Sequence, residues 1–124
     1  MPLKRFIREF HVKEAVKKCL KEIGAYQHWP VQRGMGKPCL DCHGCYCGLY
    51  FAIETKAPGK VPTKLQEQTI AEIRAAGGLV FVIDNVESVH VIAESLKSYA
   101  ANLGSVHAVF AGAIRRPRST DPDA

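Results

Sequence analysis

The sequence predicts a mixed α/β domain whose elements run α-β-β-β-α-β-α. Three observations lead there. Apolar residues recur at helical spacing over residues 9–23 and stop at Gly24. Two extended runs, 39–46 and 49–56, are joined by Cys47-Gly48, a pair suited to a two-residue hairpin turn. A second helical segment is then followed directly by the short apolar run LVFVI at 79–83, typical of a buried strand.

The chain has 124 residues, enough for one domain that buries roughly two thirds of its unfolded surface. Its 47% hydrophobic and 23% charged residues are ordinary for a globular protein and argue against a fibrous or disordered chain. The apolar runs fall far short of the ~20 residues of a membrane span, and the charged opening MPLKRFIREF lacks the apolar core of a signal peptide. The expectation is a cytoplasmic protein with reduced thiols and no membrane partner. Five cysteines, an odd number, do not read as a disulfide framework. The net charge of +5, with basic clusters at 3–8 and 115–118, suits a polyanionic partner such as nucleic acid.

In the first helix, Val12, Val16, Cys19, Leu20 and Ile23 form the apolar stripe. Residues 25–32 read as extended until Pro30, and 33–38 as a glycine-rich loop. After the two hairpin strands, 57–62 is a loop, and Thr63-x-x-Gln66 has the pattern of a capping box. The helix it starts ends before Gly77-Gly78. Residues 87–102 carry Val89, Val91, Ile92 and Leu96 as a third helix. One domain is expected over residues 1–110, with 111–124 as a flexible basic tail.

The stretch CLDCHGCYC, 39–47, admits two readings. Cys39, Cys42 and Cys45 fall at Cys-x2-Cys spacing, and Cys47 or His43 would complete a zinc-binding set in a non-catalytic nucleic-acid-binding module. All ligands would then be consecutive, with little chain to wrap an ion. As a strand, by contrast, the segment spreads Cys39 and Cys45 about 20 Å apart and turns Cys42 to the opposite face. The two readings exclude each other. With Cys47-Gly48 as the turn, Tyr46 pairs with Leu49, and Leu40, Cys42, Gly44 and Tyr46 share a core face with Thr55, Ile53, Phe51 and Leu49. On the other face Asp41 lies opposite Glu54, and Cys39 opposite Lys56. Directly opposed carboxylates repel unless a cation lies between them.

Asp41, Glu54 and Lys56 form the pattern Asp…Glu-x-Lys, with Glu54 and Lys56 on one strand face. Two carboxylates can hold a hard cation that promotes phosphodiester hydrolysis, and a lysine can orient water or offset developing charge. Together with the stretches GAYQHWPVQRGMGKPCLD, FAIETKAPGKVPTKLQEQTIAEIRAAGG and VFVID, the pattern resembles the VRR-NUC (virus-type replication-repair nuclease) domains of the PD-(D/E)xK superfamily, from about Glu9 to Asp84.

This resemblance implies a restriction-endonuclease-like core, a mixed β-sheet flanked by helices. It further implies a Mg2+ or Mn2+ cofactor and endonucleolytic cleavage of DNA, on branched or structured substrates of the Holliday-junction or flap kind. A small stand-alone phage type, acting as a homodimer in a bacterial host cytoplasm, is the nearest kind of member. Asp41, Glu54, the backbone carbonyl of Thr55 and Glu9 match the metal-binding positions, with Glu9 acting directly or through water. Lys56 and Gln66 match the catalytic lysine and helix glutamine, and Lys60 and Lys64 are candidates for phosphate contact. The chain departs from the family at the first motif step, where Leu40 precedes Asp41, and at His43, where an apolar residue is expected.

Simpler readings stand beside these. Glu9 lies on the apolar stripe of the first helix, where an acid needs a partner, but it is also near a fraying helix end. Gln66 would complete the capping box whether or not it reaches a site. Glu54 and Lys56 could be an edge-strand pair, and Cys19 simply core. Tyr26 and Trp29 read as packing residues that could alternatively stack on a base.

Overall fold

The computed structural model describes residues 2–31, 36 and 39–114, with side chains over 8–31, 36 and 39–103. Its elements are α1 (Pro2–Glu22), β1 (Tyr26–His28), β2 (Cys42–Tyr46), β3 (Leu49–Thr55), α2 (Lys64–Ala75), β4 (Leu79–Ile83) and α3 (His90–Ile114). The predicted α-β-β-β-α-β-α order is the observed one. Four strands form one mixed sheet in the order β1-β2-β3-β4: β1/β2 and β2/β3 are antiparallel, and β3/β4 is parallel across the α2 crossover.

The hairpin turns where its sequence asks it to. Cys47 (φ 49°) and Gly48 (φ 82°) both adopt left-handed backbone, as the tightest hairpin turn requires. That sets Tyr46 against Leu49 and Cys42 against Ile53, the expected register. β3 is buried from Phe51 to Thr55 because helices cover both of its faces. On one side Val12, Val16 and Leu20 of α1 meet Ile92 and Leu96 of α3 over Cys42, Phe51 and Ile53. On the other, Leu40 and Ile70 close over Ala52 and Val80. Each fully buried large aliphatic side chain contributes roughly 1.5–3 kcal/mol. Gly44 permits the close packing beneath: a Cβ there would lie 2.2 Å from the Tyr26 carbonyl and 2.3 Å from the Phe51 ring.

Several expectations need correction. β2 begins at Cys42, not at residue 39, because Asp41 leaves the ladder in a bend. Strand alternation fails there, so Leu40 packs on the α2 side with Ala52 rather than beside Cys42. Cys39 is therefore outside the pairing expected to set it against Lys56. α1 starts seven residues before residue 9, and α3 continues to Ile114, through the start of the expected tail at 111. Alanines at 100, 101, 108, 111 and 113 carry the helix past Gly104, whose cost of about 1 kcal/mol is too small to stop it. Residues 115–124 and most of the 33–38 loop lie outside the described residues. No helix among the described residues is long and apolar enough to cross a membrane.

Candidate active site

At the C-terminal end of β3 the chain brings together Asp41, Glu54, Thr55, Lys56 and Gln66. Asp41 is fixed by β3 itself: the Thr55 backbone N–H and hydroxyl each donate to Asp41 Oδ2 at 2.9 Å. The Asp41 N–H in turn donates to Glu54 Oε2 at 3.3 Å. Side chain–backbone bonds thus replace the ladder where the strand ends. Glu54 is only 3% exposed. Its Oε1 accepts from Gln66 Nε2 at 2.8 Å and lies 3.7 Å from the Lys56 ammonium.

Gln66 serves two structures at once. Its Oε1 accepts the Thr63 N–H at 2.9 Å, and its own N–H donates to Thr63 Oγ1 at 3.2 Å, which closes the capping box of α2. Because the carbonyl end is taken by an N–H donor, the amide NH2 must face Glu54. The capping and active-site readings of Gln66 therefore describe the same residue in a single conformation.

Electrostatically the site holds surplus negative charge. Burial, and then the neighbouring Asp41 carboxylate, push Glu54 up to about 7, against the partial relief given by Lys56. Two carboxylates share one nearby ammonium, and every candidate donor is a hard oxygen. Such a set fits a small divalent cation that keeps several waters, as Mg2+ does, better than a soft or tetrahedral one.

The structure does not bring Glu9 into this cluster. Glu9 is half-buried on α1, and no hydrogen bond or ion pair joins it to Asp41 or Glu54 among the described residues. Nor does any group of three or more His, Cys, Asp or Glu among the described residues lie close enough to share one ion. The four-cysteine alternative is dispersed by β2: Cys42 is buried in the core, Cys45 and Cys47 are exposed, and Cys39 is half-buried. Burial holds the Cys42 thiol up at about 12, far from the thiolate a metal needs. Lys60 and Lys64 are solvent-exposed on the segments flanking the site.

Two residues with a bearing on the site escape sequence reasoning. Thr55 anchors Asp41 through its side chain as well as its backbone, and a threonine between Glu54 and Lys56 gives no signal of that. Asp84 Oδ2 accepts the Gly59 N–H at 3.3 Å, tying the loop after Lys56 to the end of β4. The 57–60 turn, with Gly59 at φ 80° and a Lys60 N–H to Ala57 carbonyl bond of 3.0 Å, has the Pro-Gly chemistry of a type II turn.

No protein-family model matches the chain, and no curated protein matches it significantly. A solved structure described as a VRR_NUC domain is similar, with a TM-score of 0.61 at 20% identity, over 70% of this chain and 95% of that chain. At that identity the likeness shows a shared fold: a mixed four-stranded sheet with flanking helices.

Proposed function

We propose that the protein is a metal-dependent endonuclease that hydrolyses phosphodiester bonds in DNA. The observation that carries this reading is the Asp41–Glu54 carboxylate pair at the end of β3, with the Lys56 ammonium 3.7 Å from Glu54. The fold shared with the VRR_NUC domain supports it.

Asp41 and Glu54, with the Thr55 carbonyl, would hold Mg2+ or Mn2+. When bound, the ion supplies positive charge against the phosphate and makes water more acidic. Every other role falls to the chain. Thr55 holds Asp41 in one orientation through two hydrogen bonds, so the carboxylate needs no reordering. Gln66 holds Glu54 from a helix whose own start depends on the same side chain. Lys56 brings its ammonium beside the phosphate, to orient the attacking water and offset the charge that builds in the transition state. Lys60 and Lys64 extend the positive surface toward the flanking phosphates. Glu9 stands outside the pair, so a contribution from it would pass through water.

Branched or structured DNA as substrate, the phage type, cytoplasmic action and a homodimeric state rest on the sequence resemblance. The test is cleavage of junctions, flaps, duplex and single strands with Mg2+ or Mn2+, comparing wild type with Glu54→Ala and Lys56→Ala. Both variants should fold and bind DNA yet lose cleavage. Cleavage at the wild-type rate by both would refute the assignment.

A further inference from the structure

The sheet has a half that no described helix covers. Gln27 in β1 turns toward α1, donating through Nε2 to the Lys17 carbonyl at 3.2 Å, which sends Tyr26 and His28 to the opposite face. The register carries that face across the sheet in rows. Tyr26 lies beside Cys45, which lies beside Tyr50; His28 lies beside His43, which lies beside Ala52. The next residue of β3 on the same face is Glu54. α2 covers only the β3–β4 side of this surface, where Ile70 and Ile73 meet Ala52 and Val80.

What remains open is a surface of rings. Tyr26 is 67% exposed and Tyr50, on an inner strand, 45%. His28 is exposed and His43 half-buried. His43 Nδ1 is hydrogen-bonded to the Tyr50 hydroxyl, and the two rings sit 6.0 Å apart, tilted by 39°. His43 is polar where the sequence pattern leads one to expect an apolar residue, and this bond accounts for it, because it holds the Tyr50 ring in place. Past Tyr50 the face opens into a groove of about 540 Å³ beside Gly48, Ile73 and Gly78.

We infer that this face is a stacking platform for unpaired nucleotides of the DNA strand whose phosphodiester reaches Asp41 and Glu54, an inference that rests on the nuclease reading. Flat rings with polar edges favour an occupant that is itself flat and polar-edged. The face is continuous with the carboxylate pair, so the molecule that fills one reaches the other. Paired bases keep their ring faces inside the duplex, whereas unpaired bases offer theirs to aromatic side chains. From Glu54 to Tyr50 the strand spans about 13 Å, the length of three or four stacked nucleotides at about 3.4 Å each. The substrate so defined is DNA with an unpaired segment next to the cleaved bond.

The test measures binding of fluorescent oligothymidylate and of a duplex of equal length by anisotropy, in EDTA so that no cleavage intervenes. Tyr26→Ala and Tyr50→Ala should each weaken oligothymidylate binding about tenfold, the effect of losing one stacking partner, with duplex binding changed less than about twofold. Tyr26→Phe, which keeps the ring, should bind as wild type. Tyr26 is too exposed for its replacement to unfold the domain, so that variant decides even if Tyr50→Ala misfolds. Bound oligothymidylate should also slow maleimide labelling of Cys45, between the two tyrosines, as located by mass spectrometry. Unchanged oligothymidylate affinity in Tyr26→Ala, or equal loss for duplex and oligothymidylate, would overturn the platform. If wild type cleaves DNA but these variants bind normally, the platform alone fails. If wild type cleaves nothing with Mg2+ or Mn2+, the nuclease reading fails.

Discussion

The buried carboxylate Glu54 should make the metal-free protein less stable as the pH rises. Its ordinary value is 4.5, and in the folded protein burial and Asp41 push it up to about 7. Between those values the folded chain holds a proton that the unfolded chain has released. Stability from the protonated form is therefore complete below pH 4.5 and is lost as pH rises through about 7. The loss amounts to about 3 kcal/mol, since each pH unit of separation is worth about 1.4 kcal/mol. For a domain of this size that moves the melting temperature by on the order of 10 °C.

Glu54→Gln removes the titration while its amide carbonyl can still accept from Gln66. The assay is chemical denaturation of both proteins in EDTA from pH 4 to pH 9. The variant should gain on wild type progressively through the window from 4.5 to about 7 and hold that gain above it. Adding Mg2+ at pH 8 should restabilise wild type, by about 2.7 kcal/mol at a hundred times the dissociation constant, and leave the variant unmoved. Two stability curves that run parallel across the window would refute the argument. So would a wild type that gains on the variant as the pH rises.

Other perturbations separate the roles of neighbouring residues. Gly44→Ala forces a methyl against the Tyr26 carbonyl and the Phe51 ring; it should cost about 3 kcal/mol in denaturant unfolding. Thr63→Ala should cost about 1 kcal/mol of stability by removing the helix cap while leaving Gln66 able to reach Glu54. Gln66→Ala should cost more, because it also strips a buried carboxylate of its hydrogen bond, and it should lower cleavage where Thr63→Ala does not. Leu20→Ala, at a fully buried position of α1, should cost about 2–5 kcal/mol without altering metal affinity per folded molecule. Cys45→Ser and Cys47→Ser, both exposed, should leave the melting temperature within about 2 °C of wild type.

Much of the candidate site is legible in the sequence because its residues sit on regular elements. A two-residue turn at Cys47-Gly48 fixes one pairing, and that pairing alone predicts Asp41 near Glu54. The capping pattern places Thr63 and Gln66 at the first turn of α2. Legibility ends where regular structure stops. Alternation predicts strand over residues 39–41, yet Asp41 turns its side chain back onto Thr55, and Leu40 changes faces as a result. Periodicity puts Glu9 on an apolar stripe, but the stripe says nothing about how far along α1 the sheet extends. Tyr26 reads as a packing residue because aromatic rings usually are; its exposure depends on where α2 ends.

The sequence by itself determined the element order, the hairpin register and the residue types that can hold a cation and a phosphate, since turn chemistry and side-chain periodicity are local properties of the chain. Only the tertiary structure decided the environment of those residues. Glu54 lies 3% exposed beneath a glutamine from a different element, and its shift to about 7 follows from that burial and from Asp41. The open ring-lined half of the sheet likewise arises because α2 covers two strands of the four. Burial and charge coupling are sums over neighbours brought together by the fold, and no local pattern contains them.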